Sequence, residues 1–227
     1  NAGEVASGCA ASEMIRLVKE AAKYFCKYTD KQMTGFLKNA VNKVNKTVYQ
    51  KSLEAENLYG MGTTLVVCVV YNKKCYIANV GDSRLYKYSG SLKQITKDHS
   101  YVAELVELGM LTPEEANDHP NKNVITRAIG TEPMMVPDIF IEKISSGDVF
   151  LLCSDGLTNM VTDGDISKVI SQNADVENSA AKLIELALEN GALNQKMGVN
   201  RKNDRKNFKR KIRNSRRNRQ RRNGLCI

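Results

Sequence analysis

Thr63-Thr64-Leu65-Val66-Val67-Cys68-Val69-Val70-Tyr71, then Asn72-Lys73, then Lys74-Cys75-Tyr76-Ile77-Ala78-Asn79-Val80: the reading of this stretch decides the fold class. Both runs are β-branched and apolar, and the two polar residues between them suit a tight hairpin turn. Upstream the period is helical. Met14, Leu17, Val18, Ala21 and Phe25 share one stripe and predict a helix over 3–27. Leu37, Val41, Val44 and Val48 predict a second over Thr34–Leu58, ended by Gly60-Met61-Gly62. Downstream, Arg84–Tyr88 and Leu92–Thr96 read as strands about a Ser89-Gly90 turn, and Val136–Ile144 and Asp148–Cys153 as two more. Helices follow at Asp163–Ser171 and Val176–Glu189. Strands framed by helix pairs predict an α/β fold of the layered α+β kind, with mostly antiparallel strands.

Between the strand groups, Tyr101–Met110 reads as a short helix, and Thr112-Pro113-Glu114-Glu115 is a start signal for another. All four prolines (113, 120, 133 and 137) fall within residues 100–137, which marks a surface subdomain or flap over about 100–133.

The formal net charge of +9 is unevenly placed. From Gln195 onward there are 14 Lys and Arg against one acid, Asp204, so that segment carries +13 and residues 1–194 carry −4. Nucleic-acid binding by the body is therefore excluded as a reading of the charge. Leu65–Val70 is the longest apolar run and is far too short to span a membrane. The six cysteines show no CxxC or metal-type spacing; Cys68, Cys75 and Cys153 sit in apolar runs and read as small buried hydrophobes of a reducing, cytoplasmic setting.

Val149-Phe150-Leu151-Leu152-Cys153-Ser154-Asp155-Gly156 is the best chemical candidate, because a rigid strand end presents a carboxylate such as Mg²⁺ or Mn²⁺ prefers. Taken alone, Asp155-Gly156 is more simply a turn. Gly81-Asp82-Ser83-Arg84 is either a phosphate loop or a sharp turn tied down by its Asp and Arg, and the turn is the stronger reading. Asp98 is either a metal ligand or part of a helix cap made by Asp98 or Ser100. His99 and His119, the only histidines, offer no zinc spacing, and no GxSxG elbow supports covalent catalysis.

Met61-Gly62-Thr63-Thr64, Ala78-Asn79-Val80-Gly81-Asp82-Ser83-Arg84, Asp98-His99-Ser100, Val124-Ile125-Thr126-Arg127-Ala128-Ile129-Gly130 and Leu152-Cys153-Ser154-Asp155-Gly156-Leu157-Thr158-Asn159 stand in one register. In order and spacing they resemble the metal-dependent (type 2C) protein serine/threonine phosphatases, most of all the bacterial branch, from Ala2 to about Gly191. The resemblance implies a β-sandwich flanked by helix pairs, with two or three Mn²⁺ or Mg²⁺ ions and a metal-activated water that hydrolyses phosphoserine or phosphothreonine. It implies Asp155 as a core metal ligand, Asp98 as a ligand of a third ion and Asn159 as a weaker neighbour of that ion. His119, Asn123 and Arg127 fall in the flap that borders the substrate groove. Gly62–Thr64 and Gly81–Arg84 match as shapers of the strand turns. The implied partners are phosphoproteins, a Ser/Thr kinase and its targets.

The match departs from the family at both ends. The phosphate-binding Arg and a bridging Asp are expected upstream of Asn1, and the Asp-Asn-Ile-Thr ending with its final strand does not follow Asn190-Gly191-Ala192. The expectation is a domain over 1–194 that is incomplete at both ends and inactive as the 227-residue chain. Two readings of 195–227 compete: a disordered basic arm that binds nucleic acid, or an out-of-frame reading of an adenine-rich gene, which is favoured. The alternative function is a non-catalytic pseudophosphatase scaffold using that arm.

Overall fold

The computed structural model describes residues 2–173 and 175–194. Segment 195–227, with its two competing readings, lies outside them. The chain divides into two compact units between Asp155 and Gly156.

The first unit opens with α1 (Ala2–Ala22) and α2 (Asp30–Ser52). Alanines 6 and 10 of α1 are buried with Met14 and Leu17, and Leu37, Val41, Val44 and Val48 of α2 form the predicted apolar stripe at 0–1% exposure. Helix α2 starts four residues before the apolar stripe suggests. A capping box at Thr29 sets that start: its hydroxyl accepts from Gln32 N while the Gln32 side chain accepts from Thr29 N. The helix also ends early, where the Ser52 hydroxyl donates back to the Tyr49 carbonyl.

Six strands follow: β1 (Leu65–Tyr71), β2 (Lys74–Val80), β3 (Arg84–Tyr88), β4 (Leu92–Gln94), β5 (Asp138–Lys143) and β6 (Val149–Cys153). They form two antiparallel sheets in the orders β1-β2-β5 and β4-β3-β6. The β1–β2 turn places Asn72 and Lys73 at φ of 47° and 57°, the type I′ geometry of a two-residue hairpin. Strand β5 begins two residues later than predicted because Pro137, just before it, has no N–H for a ladder.

Alternation sorts each strand's side chains into two cores. Leu65, Val67, Val69, Tyr76, Ala78 and Val80 join the α1–α2 side. Cys75, Ile77, Leu85 and Ile95, with Val66, Cys68, Phe140, Phe150 and Leu152, fill the space between the sheets. Strand β2 serves both cores and is buried along nearly its whole length. The result is the layered antiparallel sandwich with a helix pair on one face.

Between β4 and β5 lie α3 (Tyr101–Glu107) and α4 (Pro113–Asp118), the latter with the predicted proline in its first turn and a Thr112–Glu115 capping box. The chain returns to the helix layer at Gly130, whose N–H donates to Oδ1 of the fully buried Asn45 at 2.8 Å; Asn45 Nδ2 in turn donates to Glu132 O. Gly130 has φ +90° and a Cβ there would stand 2.4 Å from Val48 Cγ1, so only glycine fits.

Helix α5 (Asp155–Thr158) straddles the division; in the second unit α6 (Asp163–Gln172) and α7 (Val176–Asn194) pack as a pair, pinned where Asn190 Nδ2 donates to Met160 O. No helix among the described residues is long and apolar enough to cross a membrane.

Candidate metal centre

Three carboxylates stand just beyond strands of the two sheets. Strand β6 delivers Asp155, β2 delivers Asp82, and the segment after β4 delivers Asp98. The β3–β6 ladder ends at the Arg84–Cys153 pair, two residues short of Asp82 on one side and of Asp155 on the other. The two negative groups act on each other. Burial, then the charges of Asp155 and Asp98, raise the Asp82 carboxyl above the usual carboxylate range, with Arg84 opposing.

Asp82 is aimed by a clamp on Gly81. The Gly81 N–H donates to His99 Nδ1 at 3.1 Å, and its carbonyl accepts from His99 N at 3.0 Å and from Asn79 Nδ2 at 3.3 Å. Gly81 has φ +106°, and a Cβ would stand 2.4 Å from Thr64 Cγ2, so the turn needs glycine. With its Nδ1 accepting, buried His99 carries its proton on Nε2, which lies 3.3 Å from both Asp138 Oδ2 and Arg127 Nη1. Asn79 is fully buried; its amide nitrogen also donates to Lys97 O, and its Oδ1 has no hydrogen-bond partner among the described residues.

Asp98 is held by a fork. Arg84 Nε donates to both of its oxygens (3.0 and 2.9 Å), Arg84 Nη2 to Oδ2 (2.6 Å) and Gln94 Nε2 to Oδ1 (2.8 Å). The Arg84 cation is correspondingly secured: burial opposes its charge, but the hydrogen bonds and charge of Asp98 outweigh it and raise the pKa. The helix cap belongs to Ser100, whose hydroxyl accepts from Ala103 N. Gly81–Arg84 forms a turn, held at Gly81 by His99 and Asn79, while Arg84 reaches away to Asp98.

His119 terminates α4, accepts from Asn121 N on its Nδ1, and packs its ring against Tyr101 at 5.9 Å. Asn123 is exposed in the following turn. Arg127, also exposed, reaches Asp138 Oδ1 at 3.1 Å and so touches the His99 clamp rather than the flap tip. Asn159 follows α5, in the second unit.

Among the described residues, no three His, Cys, Asp or Glu side chains are gathered to hold a metal ion. The oxygens of Asp98 are committed to Arg84 and Gln94. These residues do not by themselves fit a two- or three-ion centre. The sequence reading gives Asp82 only as part of a turn or a phosphate loop. Its signal is the mirror placement of Asp82 two residues before Arg84 and Asp155 two after Cys153, visible once β3 and β6 are paired.

The sequence profile of the protein phosphatase 2C family matches residues 9–195. The chain is 39% identical over 179 residues to the serine/threonine phosphatase stp of Listeria monocytogenes serotype 4b (strain F2365), covering 75% of this chain and 71% of that protein. The Mycobacterium tuberculosis serine/threonine phosphatase PstP/Ppp superposes with a TM-score of 0.75 at 36% identity, covering 84% of this chain and 77% of that one. The catalytic domain of PstP in complex with two manganese ions superposes at 0.72 and 34% identity, covering 84% and 76%. The chain spans about two thirds to three quarters of the length of such relatives.

Proposed function

Because the chain belongs to the protein phosphatase 2C family, whose members are serine/threonine protein phosphatases working with Mn²⁺ or Mg²⁺, we propose that Asp155, opposed by Asp82 and neighboured by Asp98, is its share of the metal centre. The observation that carries this is the mutual repulsion of Asp82 and Asp155, which lie just beyond the Arg84–Cys153 end of the β3–β6 ladder. Like charges held close are costly unless a cation joins them. In this family such ions supply a water nucleophilic near neutral pH and neutralise phosphoryl charge.

The chain's own residues hold that corner in shape. The His99 and Asn79 clamp fixes the Gly81 turn and hence Asp82. The Arg84 fork fixes Asp98 and keeps it from Asp82 and Asp155 unless the fork opens. Residues 1–194 are the phosphatase domain in this reading, with His119, Asn123 and Arg127 bordering the substrate groove. The substrates are phosphoproteins of a partner Ser/Thr kinase in the cytoplasm. With fewer than three carboxylates gathered among the described residues, the 227-residue chain alone binds Mn²⁺ weakly and does not turn over.

Titrating Mn²⁺ into the 227-residue chain and following free Mn²⁺ by electron paramagnetic resonance tests the assignment. The expected result is one weak site that is lost in Asp155→Asn and weakened in Asp82→Asn. Binding unchanged in both variants would remove these carboxylates from the centre.

A further inference from the structure

Between the two sheets lies a pair of thiols that the metal-site reading does not use. Cys68 of β1 and Cys75 of β2 lie on the same face of their sheet, diagonal across the hairpin, since Cys68 faces Ile77 and Cys75 faces Val70. Their sulfur atoms are 2.6 Å apart. Cys75 is fully buried, whereas Cys68 keeps partial access to solvent. The sequence reading of both as inert buried hydrophobes misses this, because a separation of seven residues brings two thiols together only if a two-residue turn sets the register.

We propose that Cys68 and Cys75 form a peroxide-sensitive dithiol that closes to a disulfide across the β1–β2 hairpin. Cys68 is the attacking sulfur: it is the reachable one, and the hydrogen bond from Cys75 favours its thiolate. Cys75, bonded to that sulfur and buried among Ile77, Leu85 and Ile95, is held protonated. The Cys68 thiolate attacks one oxygen of hydrogen peroxide, breaking the O–O bond; its sulfur becomes a sulfenic acid and the other oxygen leaves as hydroxide, protonated to water. The Cys75 sulfur then attacks the Cys68 sulfur. The S–S bond forms, the S–O bond breaks, and the hydroxyl leaves as water with the Cys75 proton. Two thiols are oxidised and one peroxide is reduced to two waters. The apolar surroundings favour the product, because a disulfide carries no charge to solvate and no donor to satisfy.

Trypsin makes the outcome readable, because Lys73 and Lys74 lie between the two cysteines. The full chain is treated with hydrogen peroxide, its remaining thiols are blocked with iodoacetamide, and the digest is mapped without reductant. The expected product joins peptide Ser52–Lys73 to Cys75–Arg84, lighter by two hydrogen atoms than the pair and separated by dithiothreitol. Cys68→Ala abolishes it, and Cys75→Ala leaves a Cys68 sulfenic acid that dimedone traps. Recovery of both peptides singly, with both cysteines alkylated while exposed Cys26 is oxidised, would overturn the proposal and needs no variant to fold.

Discussion

Replacing Asn45 by Ala tests how the helix layer is tied to the segment that precedes β5. Asn45 is fully buried on α2, 85 positions from Gly130, and makes two directed hydrogen bonds, 2.8 Å from Gly130 N and 2.9 Å to Glu132 O. Alanine removes both and leaves the buried Gly130 N–H without a partner. The cost of an orphaned buried donor is about 1–3 kcal/mol, while the Glu132 carbonyl, on an exposed residue, can recover water. Lost packing around the truncated side chain brings the total to about 2–4 kcal/mol. For a chain of this size that is a fall in Tm of about 5–15 °C. Urea unfolding followed by far-UV circular dichroism measures it. Asn45→Asp refines the test. A carboxylate there still accepts from Gly130 but cannot donate to Glu132, and its charge is buried, so its folded pKa rises. Its deficit is therefore largest at neutral pH and shrinks as acid protonates it. An Asn45→Ala change within about 0.5 kcal/mol of the parent would refute the reasoning.

Arg84→Leu leaves Asp98 without its cation, and the expected loss is about 2–3 kcal/mol, discounted because both partners keep some solvent contact. Arg84→Lys restores the charge but not the fork, and should recover only part in the same unfolding assay. On the other sheet, Lys74 Nζ and Tyr76 Oη donate to Asp30 at 2.6 and 2.8 Å, and hold its carboxyl below the usual range. A depressed carboxylate contributes stability above its unfolded pKa of about 3.9 and loses it as pH falls through the lower folded value. The difference between the parent and Asp30→Asn should therefore be present at neutral pH and vanish in acid; a difference that grows in acid contradicts the pairing.

The helix stripes and the hairpin were legible because period and turn chemistry are local. Leu37, Val41, Val44 and Val48 cannot face water together, and Asn72-Lys73 between two β-branched runs permits little but a tight turn. Boundaries were less legible where one side-chain hydrogen bond decides them: the Thr29 capping box starts α2 early, and Ser52 ends it early. At the site, the motif register singled out Asp155 and Asp98. It gave no weight to Asp82, because the reason to notice it is a cross-strand register, and left Cys68 and Cys75 as core filler for the same reason. Nor could the sequence say that the lone pairs of Asp98 are taken by Arg84 and Gln94, which is a matter of side-chain placement.

The most direct test of the functional account is hydrolysis of p-nitrophenyl phosphate by the 227-residue chain in Mn²⁺. Both Asp98 oxygens are held by Arg84 and Gln94 and so are kept from an ion beside Asp155, and the proposal made above is that no turnover exceeds the rate with Mn²⁺ alone. Clear turnover would contradict that inactivity, and turnover that persists in Asp155→Ala would contradict the placement of Asp155 in the metal centre as well.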